Sequence, residues 1–406
     1  MKKIAIMGHG VVGSGVAEVF FKNYENIKRK VRDDAEIKYI LDLRDFPSLP
    51  YSDKFTKNFD DILNDPEISL VVETMGGLEP AYTFVKKCLL SKKSVVTSNK
   101  ELVAEKGAEL LAIAKDSNVK FLFEASVGGG IPIIRPLSQC LAANDILEIN
   151  GILNGTTNYI LTNMVKESVD FDCALRQAQS LGYAERDPSA DILGLDASRK
   201  ICILASIAYG KHVYPKCVFA QGINQISLAD LEYAKLAGGS VKLIASAKLL
   251  DSGKIAVETS PAFIPYSNPL SSVDDVFNAV HVRGNNVGDV TFIGRGAGKL
   301  PTASAVMSDV IEALARPDYD PMLSWNDSGS DFIIPHESIS HRFYLRLTSS
   351  DFSRLDTIIK NSEKIAQSKT EVALISAQTS YSELSKISSL LADAKITVAS
   401  AFRVLE

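Results

Sequence analysis

Lys200 follows Asp196 by four residues in the run LGLDASRK, so a helix there sets a carboxylate and an ammonium on one face. Reduction of an aldehyde needs a group that protonates the oxygen as it becomes an alkoxide, and a lysine can serve. The residues after Lys200, ICILASIA, are almost wholly apolar, so the helix runs into a core and its polar opening turns line a cleft. A lysine placed there is pulled two ways, its pKa lowered by burial and raised by neighbouring carboxylates. A surface ion pair has the same spacing, and only the apolar continuation argues against it. Upstream, Glu185, Asp187 and Asp191 make the segment from Tyr183 to Lys200 rich in carboxylates, with Pro188 and Gly194 bracketing a turn.

Lys100 follows the apolar run SVVT, which puts it where a strand gives way to a helix. Ligands of open α/β sheets bind along that carboxyl edge, although from these residues alone a solvent-exposed lysine after a strand is the plainer reading. EASVGGGI, from Glu124 to Ile131, ends a further apolar run at the same edge. Its carboxylate and backbone carbonyls are hard oxygen donors suited to a monovalent cation. A plain hinge between domains is the other reading. A second glycine-rich loop, Gly294 to Gly298, opens a helix at PTAS and either approaches a cofactor or packs closely.

The strand Ile4–Met7 leads into Gly8-His9-Gly10-Val11-Val12-Gly13, after which Val12, Val16, Val19 and Phe20 share a helical face. The first glycine permits a tight turn, the second lets the backbone approach a pyrophosphate, and the third allows close helix–strand packing. The helix N-terminus then offers N–H groups and partial positive charge to the phosphates. Gly8, Gly10, Val11, Val12 and Gly13 are therefore the cofactor-binding candidates. Asp42, at the end of the second strand, suits a ribose hydroxyl and NAD, whereas Arg44 suits a 2′-phosphate and NADP. His9 is expected to contribute its backbone and turn its ring to solvent.

These groups need a scaffold. Over the first 130 or so residues the runs IAIM, YIL, LVVE, SVVT and FLFEA alternate with helix-period segments, the pattern of a parallel doubly wound sheet. From about Ile146 the rhythm changes to an α+β layer, with strands in INGILN, VKLIASAKL, KIAVETS, AVHVR and DVTFIG. After Pro317 a stretch rich in Pro, Asp, Ser and Gly reads as a linker. Beyond it HRFYLRLTSS, a helix from Phe352 to about Lys364, TEVALIS, a helix over Glu383–Leu391 and ITVASAFRVL read as β-α-β-α-β. The expected domains are 1–132, with a helix near 300–316 packing back onto it, then 133–316, a linker at 317–340 and a small module at 341–406.

The 406 residues are 46% hydrophobic and 23% charged, with a formal net charge of -5 and no block of like charge, so no nucleic-acid surface is indicated. No apolar run approaches the ~18 residues of a membrane span, and Met1-Lys-Lys leads into too short an apolar run for a signal peptide. A cytoplasmic protein is expected. Five scattered cysteines lack any C-x-x-C pair and read as core packing rather than a disulfide framework or zinc site.

GHGVVGSG, VVTSNKEL, EASVGGGIPII, NGILNGTTNYIL, LGYAERDPSADILGLDASRK and GRGAGKLPTASAV occur in that order, and over about residues 1–316 the chain resembles the homoserine dehydrogenase family. The resemblance implies a Rossmann-type N-terminal domain, an α+β catalytic and dimerisation domain and a C-terminal ACT-like module. It implies reversible, NAD(P)-dependent conversion of L-homoserine to L-aspartate 4-semialdehyde in threonine and methionine biosynthesis, by a homodimer or homotetramer. Lys200 becomes the general acid, assisted by Lys100. Glu185 and Asp196 hold the substrate ammonium, and Thr156 completes the pocket. Thr74, Ser98, Lys100 and Gly298 lie near the nicotinamide. Glu124, Val127, Gly129 and Ile131 match sodium-binding positions, three of them through carbonyls. NADP(H) is favoured over NAD(H), although Arg44 and Asp42 point to different cofactors.

The tail departs from the family. Where longer members carry an Asp-x-Pro-Gly turn in an effector site, this chain has Asp351-Phe352-Ser353-Arg354, so threonine feedback through that turn is not expected. Another semialdehyde dehydrogenase would give no reason for the carboxylates around Glu185 and Asp196. A nicotinamide sensor with a degenerate site would lack Lys100, Asp196 or Lys200, and all three are present.

Overall fold

The computed structural model describes residues 1–318 and 323–405, which fall into two compact units. Residues 319–322 of the expected linker and the last residue of the tail lie outside the described residues.

The first unit comprises residues 1–145, 202–215 and 294–329. Its strands are β1 (Lys2–Met7), β2 (Ala35–Leu41), β3 (Phe55–Thr56), β4 (Ile68–Glu73), β5 (Ser94–Thr97) and β6 (Phe121–Leu122). Among the described residues they form a parallel sheet in the order β3-β2-β1-β4-β5-β6. Ile4, Ile6, Ile37, Val71 and Val96 are fully buried, because crossover helices cover both faces of such a sheet. The chain reverses its direction of winding between β1 and β4, which opens a crevice at the carboxyl ends of those strands. The helix Lys299–Ala315 packs on the helix Val11–Lys22, and a side chain at Gly15 would come within 2.8 Å of the Lys299 carbonyl.

The second unit comprises residues 146–201, 216–293 and 330–406. Its mixed sheet contains β7 (Ile146–Ile152), β8 (Gly239–Leu249), β9 (Ile255–Pro265), β10 (Phe277–Gly284) and β11 (Gly288–Arg295). The tail adds β12 (Phe343–Thr348), β13 (Glu363–Gln367), β14 (Glu371–Ile375) and β15 (Thr397–Val404). The order is β11-β10-β7-β8-β9-β15-β12-β14-β13, with Phe219–Ala220 also paired to β9. Ala262 of β9 lies opposite Arg403 of β15, so the tail's strands continue the same sheet.

Within the tail the helix expected over 352–364 is a single turn, Leu355–Ile358, and Glu363–Gln367 is a strand instead. Asn361 sits in the left-handed region at φ 55°, which ends the helical path, and β13 then pairs with β14. The module is therefore β-α-β-β-α-β around Phe343, Leu345, Leu355, Leu374 and Leu391. Cys88 and Cys202 are buried as expected, whereas Cys140 is exposed. No helix among the described residues is long and apolar enough to cross a membrane.

Candidate active site

The nucleotide loop is built by backbone requirements. Gly8 has φ 95°, a conformation that L side chains rarely adopt, and its N–H donates to the Leu41 carbonyl at 2.8 Å. At Gly13 a Cβ would stand 2.0 Å from the Gly8 carbonyl oxygen and 2.7 Å from Thr74 Oγ1. At Gly10 it would meet nothing within 4 Å, so this glycine leaves open space in front of the helix N-terminus. That helix begins at Val11, and its first hydrogen bond runs from the Ser14 N–H to the Gly10 carbonyl. The N–H groups of Val11, Val12 and Gly13 therefore have no partner along the helix, as an anion site requires.

Asp42 and Arg44 meet at this loop. The Asp42 carboxylate accepts the His9 N–H at 2.8 Å and the Arg44 N–H at 3.0 Å, and it pairs with the Arg44 guanidinium at 2.9 Å. Arg44 also donates to the His9 carbonyl at 3.2 Å. The guanidinium bond, aided by the two backbone N–H groups against the cost of burial, holds the Asp42 carboxyl well below the usual carboxylate range. The Arg44 side chain is 63% exposed against 9% for Asp42, so of the two the cation is open to an incoming ligand. Both line a cavity of about 510 Å³ with Gly8, Gly10, Lys57 and Thr74. The His9 ring does not turn to solvent as expected; it is buried edge-on to Phe46 and Phe55, with centroids 4.8 and 5.1 Å away. Aromatic residues from the segment after Arg44 enclose it, an arrangement invisible in the loop's own sequence.

Further along the carboxyl edge, Thr74 Oγ1 donates to the Gly8 carbonyl at 2.9 Å and so ties the turn after β4 to the glycine loop. The Ser98 N–H donates to the Glu73 carbonyl at 3.3 Å. Lys100 opens the helix Lys100–Asp116, whose cap Asn99 accepts the Leu102 N–H at 3.1 Å. Gly298, with φ 122°, caps the helix Lys299–Ala315. Sequence reasoning passed over Glu73, the last residue of β4. Its carboxyl is fully buried, bonded to Thr97 Oγ1 and to the N–H groups of Met75 and Gly76. Burial pushes it up, and its bonds hold the turn at the sheet edge in place.

In the second unit the chemistry gathers around Asn154, which sequence analysis quoted within a motif without assigning it a role. Its side-chain oxygen accepts the Thr157 N–H at 2.8 Å and caps the helix Gly155–Glu167. Its amide donates to Asp191 at 2.7 Å and to Asp196 at 2.9 Å. Lys200 Nζ donates to that same Asp196 oxygen at 2.7 Å and to the Leu153 carbonyl at 2.7 Å. Asp196 and Lys200 are 4% and 9% exposed, which separates this pair from an ordinary surface ion pair. Thr156 Oγ1 donates to the Tyr183 carbonyl at 2.6 Å and ties the capped helix to the carboxylate-rich segment. Glu185 lies in that segment as an exposed residue whose backbone carbonyl accepts from Gln179 at 3.1 Å. Asp191, likewise unassigned in the sequence, joins the cluster through Asn154. The arrangement presents a fixed ammonium beside carboxylates, fit for donating a proton and receiving a cationic amine.

The Glu124–Ile131 loop is tightly built. The Glu124 carboxylate accepts the N–H groups of Ile133, Ile134 and Arg135 at 2.6 to 2.9 Å, and its own N–H donates to Asp309 at 2.7 Å. Gly128 and Gly129 have φ 74° and 55°, and a Cβ on Gly129 would meet the Gly296 carbonyl at 2.3 Å. Asp309, fully buried, is pushed up to about 7 by burial first and by the charge of Glu124 second, with Arg135 opposing. Val127 and Ile131 are buried in the same loop.

A switch-point crevice with a glycine loop, in a chain that also buries a lysine–carboxylate pair, fits the class of nicotinamide-dinucleotide oxidoreductases. The family models for the homoserine dehydrogenase NAD-binding domain and for homoserine dehydrogenase match residues 8–124 and 132–311. A homoserine dehydrogenase of Bacillus subtilis is 36% identical over 99% of this chain and 98% of its own. The solved homoserine dehydrogenase of Thiobacillus denitrificans superposes with a TM-score of 0.92 at 33% identity, covering 100% of this chain and 98% of that one. A hyperthermophilic archaeal homoserine dehydrogenase in complex with NADPH covers 79% of this chain and 100% of its own, with a TM-score of 0.66 at 30% identity. The chain belongs to the homoserine dehydrogenase family.

Proposed function

We propose that this protein catalyses reversible hydride transfer between L-homoserine and L-aspartate 4-semialdehyde, as its family does. The observation that carries the reading is the Asn154–Asp191–Asp196–Lys200 constellation in a chain that also holds a complete dinucleotide loop. The bound nicotinamide supplies the hydride. Lys200 delivers its proton to the aldehyde oxygen as that oxygen gains alkoxide character, and it recovers the proton in the reverse direction. Asp196 and the Leu153 carbonyl hold the lysine in place, and Asn154 fixes Asp196. The substrate ammonium is received by carboxylates of the same segment, with Glu185 and Asp191 beside Asp196. Thr156 shapes the pocket, and Lys100 assists as a second cation.

Gly8, Gly10, Val11, Val12 and Gly13 bind the cofactor pyrophosphate, and Thr74, Ser98, Lys100 and Gly298 serve its nicotinamide end. NADP(H) is preferred: Arg44 is exposed and Lys57 lines the same cavity, whereas Asp42 is already engaged. The NADPH bound by the archaeal relative agrees with this reading. Sodium suits the Glu124 loop, held by Glu124 and the carbonyls of Val127, Gly129 and Ile131. Of the two buried carboxyls there, Asp309 meets the guanidinium of Arg135 and Glu124 meets only its backbone N–H, so an added positive charge is favourable.

We further propose a homodimer or homotetramer, since the edge strand β11 exposes Ile293 and its neighbour β10 exposes Phe277. A cytoplasmic setting fits cysteines that are all free. Threonine inhibition through the turn at Asp351 is not expected, because that carboxylate already accepts the Ser353 N–H at 2.8 Å. The deciding experiment is initial-rate oxidation of NADPH and of NADH with aspartate 4-semialdehyde, in sodium and in potassium. Turnover, faster with NADPH, supports the reading. Absence of turnover in folded, nucleotide-binding protein overturns it.

A further inference from the structure

Asp191 and Asp196 both accept from the Asn154 amide, at 2.7 and 2.9 Å, yet they belong to different helices, the single turn Ser189–Ile192 and the helix Leu195–Tyr209. Two carboxylates gathered on one amide repel each other, and the more so where water is scarce. Neither helix by itself sets their separation. That falls to the turn at 192–194, where Gly194, with φ 80°, donates its N–H to the Asp191 carbonyl at 3.0 Å and opens the next helix by accepting the Ser198 N–H at 3.0 Å.

A distant piece of backbone holds this turn from behind. The end of a helix leaves carbonyls without a helical partner. The Ile192 carbonyl finds one in the Ile223 N–H, at 2.9 Å. Gly222 lies so close to the same carbonyl that a Cβ would stand 2.2 Å from its oxygen and 2.8 Å from the Leu193 Cα. A Cβ at Gly194 would meet Thr259 Cγ2 at 3.2 Å and the Gln221 carbonyl at 3.4 Å. Glycine alone lets two backbones approach in this way.

The holding segment is itself fixed. Phe219 and Ala220 pair in parallel with Glu258 and Thr259 of β9, and the Gln221 N–H donates to the Thr259 carbonyl at 2.8 Å. The Phe219 ring stacks on His336 with centroids 3.5 Å apart, and Ile223 is fully buried. The sheet therefore reaches the turn through one short connection. Lys200 has a separate second anchor, the Leu153 carbonyl just past β7, so the turn and the ammonium of Lys200 are held from different strands.

We propose that Gly222 and Ile223 are positioning residues for substrate binding: their backbone braces the turn at 192–194 and so sets how Asp191 and Asp196 stand to the substrate ammonium. The assignment rests on the proposed hydride-transfer reading, in which those carboxylates receive that ammonium. An ammonium held alike in ground state and transition state affects KM and leaves kcat nearly level. Displacement of a positioning group by about 1 Å costs up to about 10²-fold.

Steady-state kinetics of the full chain with aspartate 4-semialdehyde and NADPH test this. Gly222→Ala should raise the KM for the aldehyde about 10- to 100-fold, with kcat close to the parent's and NADPH affinity unchanged by fluorescence titration. Gly194→Ala presses the same contact from the other side and more gently, so it should fold even where Gly222→Ala does not and raise the same KM by a smaller factor. Gly239→Ala supplies the comparison, since its methyl would stand 2.5 Å from the Ile264 carbonyl, against β9 rather than the turn. It should lower the thermal midpoint and leave the KM alone. The assignment is overturned if folded Gly222→Ala or Gly194→Ala keeps the parental KM, if kcat and NADPH affinity fall along with it, or if Gly239→Ala raises the KM as much. Those outcomes leave the hydride-transfer reading standing, whereas absence of turnover in the parent overturns both.

Discussion

Lys200 Nζ and Asp196 Oδ2 lie 2.7 Å apart, one helical turn from each other, and the Leu153 carbonyl at the end of β7 holds the same ammonium from a second element. The two anchors fix this ammonium, the proposed proton donor, in space more firmly than a helix pair alone. Replacing Lys200 with alanine should lower kcat by about 10²–10⁴, with NADPH affinity unchanged by fluorescence titration. A variant with near-normal turnover would remove Lys200 from the mechanism.

Asn154 has two separable duties, capping a helix and orienting Asp191 and Asp196. Asn154→Ala should cost both activity and roughly 1 kcal/mol of stability. Asn154→Ser keeps a capping oxygen but loses the amide donor, so kcat should fall while the urea midpoint stays near wild type. Equal stability losses in both variants would mean that the amide bonds serve the fold alone.

Two glycines of the nucleotide loop should behave differently. Gly13→Ala places a methyl 2.0 Å from the Gly8 carbonyl and should lower thermal stability. Gly10→Ala meets no protein atom within 4 Å, so it should fold normally and lose nucleotide binding only. Circular dichroism melts with NADPH titration separate the two; full NADPH affinity in Gly10→Ala would refute the placement of the pyrophosphate.

Arg44→Ala should raise the KM for NADPH about 10- to 100-fold, the loss of one or two charged hydrogen bonds to a 2′-phosphate. The KM for NADH should stay level or fall, because Asp42 loses its guanidinium partner and becomes available to a ribose hydroxyl. Parallel losses with both cofactors would show that Arg44 merely braces the His9 loop.

Glu258 ties β9 to the tail through Arg403, His341 and Tyr381. Burial is the largest single influence and pushes its carboxyl up, but the charge of Arg403 together with the charge and bond of His341 and the bond of Tyr381 outweighs it, bringing the group down to about 2 from 4.5. A depressed carboxylate contributes stability that is whole above its unfolded value and disappears as pH falls through its folded value. On the order of 3 kcal/mol should therefore be lost between pH 4.5 and about 2. Glu258→Gln should be less stable at pH 7 and show a shallower loss over that window in urea melts. An unchanged slope would locate the acid sensitivity elsewhere.

Several of these features were legible in the residues alone, because they depend on neighbours in the chain. The glycine spacing after an apolar strand prescribes a nucleotide loop whatever surrounds it, and continuous apolar runs prescribe strands covered on both faces. The four-residue step from Asp196 to Lys200 prescribes a shared face on any helix. The ordered motifs from the nucleotide loop to GRGAGKLPTASAV sufficed for the family.

The tertiary structure decided what depends on distant segments meeting. Asn154 reaches Asp196 across 42 positions, so no local pattern could single out that amide as the organiser of the carboxylates. Asp42 and Arg44 appear in sequence as rival cofactor selectors, but folded they clamp one another and only the guanidinium remains open. His9 was expected in solvent because the loop requires only its backbone, and the aromatic residues that bury it follow Arg44. The tail's strands read as a separate module by their own periodicity; their place in the larger sheet rests on the register of Arg403 against Ala262 and on the buried charges that register brings together. Local periodicity sets which face a side chain takes, and only packing sets what that face will meet.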